Sequence, residues 1–247
     1  MVARVGPHSD VAGLAEHSSV PVINALSDDY HPLQTIADFL TLYETLGIAS
    51  KSGTGPGLGL EGLKVAWVGD SNNVLFDLAT ACVKLGVDIS VASPTGYGIP
   101  DGMRNVILAA GEEVSSGPYR AGKLSETTIP EEAIKDADVL VTDTWVSMGQ
   151  ESEQKKRLEA FEGYQITNDL AKRGGAKEDW KFMHCLPRHP EEVADEVFYS
   201  DRSLVFPEAE NRLWAAVGKS ALSFTRTLLT PAAALQGFVV NKGSLIF

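Results

Sequence analysis

Lys64 to Ala92 reads KVAWVGDSNNVLFDLATACVKLGVDISVA, and this stretch decides the fold. Lys64 to Gly69 forms a strand carrying Val, Ala and Trp. Asn72 to Leu85 forms a helix that ends at Gly86, a residue suited to a C-cap. Val87 to Ala92 forms the next strand. The same alternation continues downstream, with a strand at Asp138 to Thr142, a helix at Glu151 to Phe161 and a strand at Lys181 to Cys185. Repeated βαβ units predict an α/β fold: a mostly parallel sheet with helices on both faces. A long helix from Leu213 to Leu229 closes the pattern.

Upstream, residues 1–49 read as a short strand, a polar helix, a strand around Val20 to Ala25 and a longer helix from Pro32 to Leu46. Leu33, Ile36, Ala37 and Leu40 give that helix its apolar spacing. Lys51 to Gly59 is dense in Gly, Ser and Thr and reads as a flexible connection. The chain thus divides into residues 1–49, a connection at 50–61, a main unit at 62–212 and a terminal helical segment at 213–247.

With 44% hydrophobic and 22% charged residues the composition is that of an ordinary globular protein. A net charge of −12 argues against a nucleic-acid partner, which needs clustered Lys and Arg. No apolar run reaches the roughly 18–20 residues of a membrane span. Cys82 and Cys185 are too few for a disulfide framework. His8, His17, His31, His184 and His189 show no paired metal-ligand spacing, so neither metal nor cofactor is expected. Gly69-Asp70-Ser71 lacks the Gly-x-Gly-x-x-Gly pattern of a dinucleotide site.

In open parallel sheets, ligands bind beyond the C-terminal ends of the strands. Asp70 to Asn73, Asp143 to Gly149 and His184 to Pro187 all follow expected strands, so three polar clusters converge on one sheet edge.

Four segments carry a resemblance. His31-Pro32-Leu33-Gln34 resembles the His-Pro-x-Gln box of the ornithine carbamoyltransferase family. Asp143 to Gly149 is similar to its Asp-x-x-x-Ser-Met-Gly loop. His184-Cys185-Leu186-Pro187 is similar to its His-Cys-Leu-Pro box, and Phe206 to Arg212 resembles the entry to its last helix. The resemblance implies the aspartate/ornithine carbamoyltransferase fold, with its second domain complete. Residues 1–49 would be a remnant of the carbamoyl-phosphate domain, 62–212 the ornithine domain and 213–247 a helix packing back on the first. The amino-half segment in which the family carries its Ser-x-Thr-Arg-Thr phosphate loop, at a helix N-terminus, is not expected in these residues: the chain opens at Ala3-Arg4-Val5, similar to the last stretch of that domain.

The implied reaction is carbamoyl phosphate plus ornithine to citrulline plus phosphate, in arginine biosynthesis or the urea cycle. Carbamoyl transfer needs donors at the developing oxyanion, each supplying on the order of 3 kcal/mol, and alignment of two substrates, worth about 7–11 kcal/mol. By resemblance Arg4, His31 and Arg212 face the carbamoyl oxygen, and Gln34, Cys185 and Leu186 complete the carbamoyl-phosphate site. Asp143 and Cys185 surround the ornithine δ-amine; Asn73, Ser147 and Met148 hold its α-amino acid end. Whether Asp143 or Cys185 takes the amine proton is left open.

Each residue also has a plainer reading. Arg4 reads as a solvated arginine, His31 as a residue before Pro at N1, and Asp143, Asn72 and Asn73 as helix caps. Cys185 reads as an inert buried thiol, and Arg212 as a salt-bridge residue. A second hypothesis for the whole chain is a non-catalytic fragment that keeps an amino-acid-binding module, with little or no turnover alone. The family's homotrimer is built largely through the missing domain, so weaker or altered assembly is expected. The resemblance places the protein in the mitochondrial matrix if eukaryotic and in the cytoplasm otherwise; the Gly/Ser-rich insertion reads as eukaryotic.

Overall fold

A computed structural model describes residues 1–47, 58–146 and 151–228. A two-stranded parallel pair opens the chain, β1 (Val2–Arg4) beside β2 (Ile23–Leu26), joined by α1 (His8–His17). Then α2 (Pro32–Leu42) begins with proline at its first position, where the missing N–H costs nothing. It ends four residues before the expected Leu46, in a wider turn from Tyr43 to Gly47.

The main sheet has the order β5-β4-β3-β6-β7, all parallel. Its strands are β3 (Lys64–Val68), β4 (Asp88–Ala92), β5 (Leu124–Thr127), β6 (Val139–Thr142) and β7 (Lys181–His184). Helices α3 (Asn73–Lys84), α4 (Asp101–Ser115), α5 (Pro130–Ile134), α6 (Gln154–Ala160) and α7 (Asn168–Gly174) connect them, and α8 (Asp195–Phe198) follows the last strand. Gly86 ends the α3 turn with φ of 72°, the left-handed conformation its position predicted.

Strand β3 shows why the sheet is covered twice. Val65 and Trp67 enter the core shared with Leu75 and Leu78 of α3 and Ile107 of α4. Ala66 and Val68, on the opposite pleat face, join Ile134, Leu170 and Phe161 below α5 to α7. Every residue from Val65 to Val68 is therefore apolar and buried, as parallel strands sealed on both faces require.

Chain order runs outward from β3 to β5, then crosses back to β6 on the other side of β3. The switch point lies between β3 and β6, where ligand crevices form in open α/β sheets.

The last helix, α9, spans Val205–Leu228, so it starts eight residues before the expected Leu213 and the 212/213 division falls inside it. It packs along α2, which is the expected contact with the first segment. The inward stripe carries polar groups: Glu208 and Asn211, both buried, lie at helical spacing with buried Ala215. Leu213, Trp214 and Val217 lie on the exposed side of the helix.

Candidate active site

An open cleft of about 1280 Å³ lies between the β1–β2 pair and the C-terminal edge of the main sheet. Arg4, His31, Asn73, Asp143, Cys185, Leu186 and Arg212 all line it. Seven residues singled out from sequence therefore meet in one space, although more than 200 positions separate Arg4 from Arg212.

Asp143 follows β6, and its carboxylate is held from two sides. Asn72 Nδ2 donates to Asp143 Oδ2 at 2.7 Å, and Cys185 Sγ donates to Oδ1 at 2.9 Å. Asn72 also caps α3, its Oδ1 accepting from the backbone N–H of Val74 and Leu75. The capping reading thus holds for Asn72, whereas Asp143 caps no helix among the described residues. Burial, with Asp143 alongside, pushes the Cys185 thiol well above its ordinary range. Cys185 is a neutral donor here, not a thiolate.

The strand end that carries Cys185 is fixed by its neighbours. His184 Nδ1 accepts from Leu186 N at 2.9 Å, which leaves Nε2–H to donate to Glu192 Oε2 at 2.9 Å. Glu192 is buried, yet bonds from His184 and His189 outweigh burial and keep its carboxyl below the usual value. Leu186 adopts φ of 62°, a left-handed conformation that costs a leucine on the order of 1 kcal/mol or more.

His31 precedes Pro32 with extended φ of −133°, and its backbone N–H donates to Asp77 Oδ2 of α3 at 2.5 Å. The imidazole is buried beside two cations. Burial, then Arg212 and Arg4, lower its pKa to about 3. His31 is therefore neutral at physiological pH and can offer an N–H without carrying charge. His31 Nδ1 and Arg212 Nε are buried without a hydrogen-bond partner among the described residues. Arg4, at the end of β1, is exposed on the cleft wall.

Gln34 departs from expectation. It lies one turn after His31 but does not line the cleft. Its Nε2 donates to Asp38 Oδ1 at 2.7 Å and Glu208 Oε1 at 2.8 Å, and its Oε1 accepts from Arg212 Nη1 at 2.5 Å. With both donors and one acceptor engaged, its buried amide reaches the cleft only through Arg212. Asn73 does line the cleft, with Nδ2 donating to the Ser27 carbonyl at 2.7 Å. Ser147, Met148 and residues 51–57 of the connection lie outside the described residues.

Sequence reasoning missed the buried polar supports. Asp38, Asp77 and Glu208 are almost fully enclosed, and Arg157, which itself lines the cleft, pairs with Asp70 at 2.9 Å. The only signal of the three enclosed acids was charge within otherwise apolar helical patterns, which also describes a solvated face.

The model for the "Aspartate/ornithine carbamoyltransferase, Asp/Orn binding domain" matches residues 61–223, and that for the "carbamoyl-P binding domain" of the same family matches residues 1–44. The chain belongs to the aspartate/ornithine carbamoyltransferase family. The cleft lies where these two family regions meet, with Arg4 and His31 from the carbamoyl-P region and Asp143 and Cys185 from the Asp/Orn region. The chain is similar to "Ornithine carbamoyltransferase, mitochondrial" of Emericella nidulans, 64% identical over 99% of this chain and 62% of the relative. Among solved structures, a mitochondrial ornithine carbamoyltransferase from Coccidioides immitis is 64% identical, with a TM-score of 0.79 over 90% of this chain and 64% of that one. The ornithine carbamoyltransferase from Pyrococcus furiosus is 43% identical, with a TM-score of 0.77 over 90% of this chain and 65% of its own. The chain thus spans 62% of the length of its Emericella relative.

Proposed function

We propose that the cleft transfers the carbamoyl group of carbamoyl phosphate to the δ-amine of L-ornithine, giving citrulline and phosphate. The observation that carries this reading is the Asp143 carboxylate, gripped by Asn72 and Cys185 in the same cleft as Arg4, His31 and Arg212. A carboxylate suits an ammonium group, and three N–H donors suit an oxyanion. The names of the relatives agree.

In this reading the amine nitrogen attacks the carbamoyl carbon, and the carbonyl oxygen gains the charge that Arg4, neutral His31 and Arg212 stabilise. Asp143 takes one proton from the bound ammonium, which frees the nitrogen to attack; collapse then breaks the carbon–oxygen bond to phosphate, and the departing phosphate carries off the second nitrogen proton. The raised Cys185 thiol favours Asp143 as acceptor, with Cys185 orienting it. Asn73, Ser147 and Met148 hold the α-amino acid end of ornithine. Leu186 borders the carbamoyl group, and Gln34 acts through Arg212.

A second reading is an ornithine-binding chain without turnover. A citrulline assay with both substrates separates the two: product that disappears in Asp143→Asn supports transfer. Saturable ornithine binding without product supports the second reading, and the absence of both overturns the site. The relatives' names, which read "mitochondrial", support a mitochondrial location; the matrix is the compartment proposed. The homotrimer inferred for the family is tested by light scattering.

A further inference from the structure

Behind the cleft, α2 and α9 enclose two carboxyl groups that the transfer chemistry does not use. Asp38 and Glu208 are each 2% exposed, and both accept from the same Gln34 amide nitrogen. Two carboxyl groups held against one buried nitrogen are not both ionised, and a single proton shared between them leaves one negative charge. Gln34 donates to both, through Nε2, at 2.7 and 2.8 Å. Glu208 Oε2 also accepts from the backbone N–H of His184 at 3.0 Å, one residue before Cys185.

An amide has two chemically different ends. With its NH₂ facing two carboxyls, Gln34 must turn its oxygen toward Arg212, whose Nη1 donates to it. We propose that the Asp38–Glu208 pair is a positioning device for carbamoyl transfer. It sets the orientation of the Gln34 amide, and thereby aims the Arg212 guanidinium into the cleft while anchoring the strand end that carries Cys185. Burial and mutual repulsion raise both carboxyls above their ordinary values, in keeping with the shared proton.

The proposal distinguishes substitutions of similar size. In Asp38→Asn, Glu208 ionises: it accepts from Asn at position 38, Gln34 and His184, while the new amide oxygen still accepts from Gln34. Every bond is kept and the pair's single charge remains. Asp38→Ala and Glu208→Ala remove the constraint on Gln34. Each lost bond to a charged group corresponds to a factor of about 10 or more in affinity.

The test has a spectroscopic arm and a kinetic arm. Infrared difference spectra of wild type minus Asp38→Asn at neutral pH should show the carbonyl band of one protonated carboxyl group. Absence of that band overturns the shared proton whether or not the chain makes citrulline. The kinetic arm alone rests on the carbamoyl-transfer reading. Glu208→Ala and Asp38→Ala should raise KM or Kd for carbamoyl phosphate at least tenfold, with a smaller effect on ornithine, and Asp38→Asn should restore it. If Asp38→Asn and Asp38→Ala lose carbamoyl-phosphate affinity equally, or if neither alanine variant loses any, the positioning role is wrong. If an alanine variant does not fold, the Asp38→Asn spectrum and its affinity still decide. Wild type with the band but with neither citrulline nor carbamoyl-phosphate affinity would count against the function and leave the proton standing.

Discussion

Cys185 Sγ lies 2.9 Å from Asp143 Oδ1 and donates to it, which assigns the two residues different roles. The thiol is held protonated by burial and by the carboxylate it faces. That leaves the Asp143 carboxylate to meet an ammonium group. Asp143→Asn should therefore lower kcat/KM for ornithine by about 10²–10⁴-fold, the range for losing a positioned base. Cys185→Ser retains an O–H donor and should lose about tenfold or less. Steady-state citrulline kinetics, or ornithine affinity if turnover is absent, measure both; equal losses would contradict the division of labour.

His31 shapes the response of stability to acid. Its folded pKa is about 3 against an ordinary histidine value of 6.5, so the unfolded chain binds the proton more readily. The contribution is full above about pH 6.5 and is lost as pH falls toward 3, on the order of a few kcal/mol in total. His31→Gln should flatten the acid side of the stability curve in urea titrations between pH 4 and 7. An unchanged slope would show that His31 titrates normally.

The polar seam between α2 and α9 is a stability element. Asn211 Nδ2 donates to Thr41 Oγ1 and Glu44 Oε2, each at 2.9 Å. Asn211→Ala leaves these groups without their donor and should cost about 1–3 kcal/mol. Trp214→Lys, on the exposed face of the same helix, should change stability by no more than about 0.5 kcal/mol while reducing self-association. Denaturant midpoints and light scattering check the pair.

Asn72 joins the fold to the site. It caps α3 and bonds Asp143 in the same conformation. Asn72→Ala should cost about 0.5–2 kcal/mol as a lost cap and also weaken ornithine binding. Asn72→Ser, which can cap but does not reach as far, should restore stability more than affinity. Parallel recovery of both would sink the link.

The sequence made β3, α3, β4, β6 and β7 legible because continuous apolar strands and Gly86 leave few alternatives. It was silent on β5 and α4. Strand β5 is a largely exposed sheet edge carrying Ser125 and Glu126, and α4 holds two glycines and buries only Ile107 and Ala110, so neither shows a strong period. At the site, residues at strand ends were readable because topology delivers strand ends to a crevice. Gln34 was misplaced because helical spacing shows that it shares a face with His31, not that Asp38 and Glu208 hold its amide behind the cleft wall. Those two acids were unreadable for the same reason: charge on a helix ordinarily signals water.

The account stands most directly on ornithine meeting Asp143. Calorimetric titration of L-ornithine, with carbamoyl phosphate present, into wild type and Asp143→Asn tests it. Saturable binding by wild type that weakens about 100-fold or more in Asp143→Asn is the result the geometry predicts. No binding by wild type, or equal affinity in the two proteins, would contradict it.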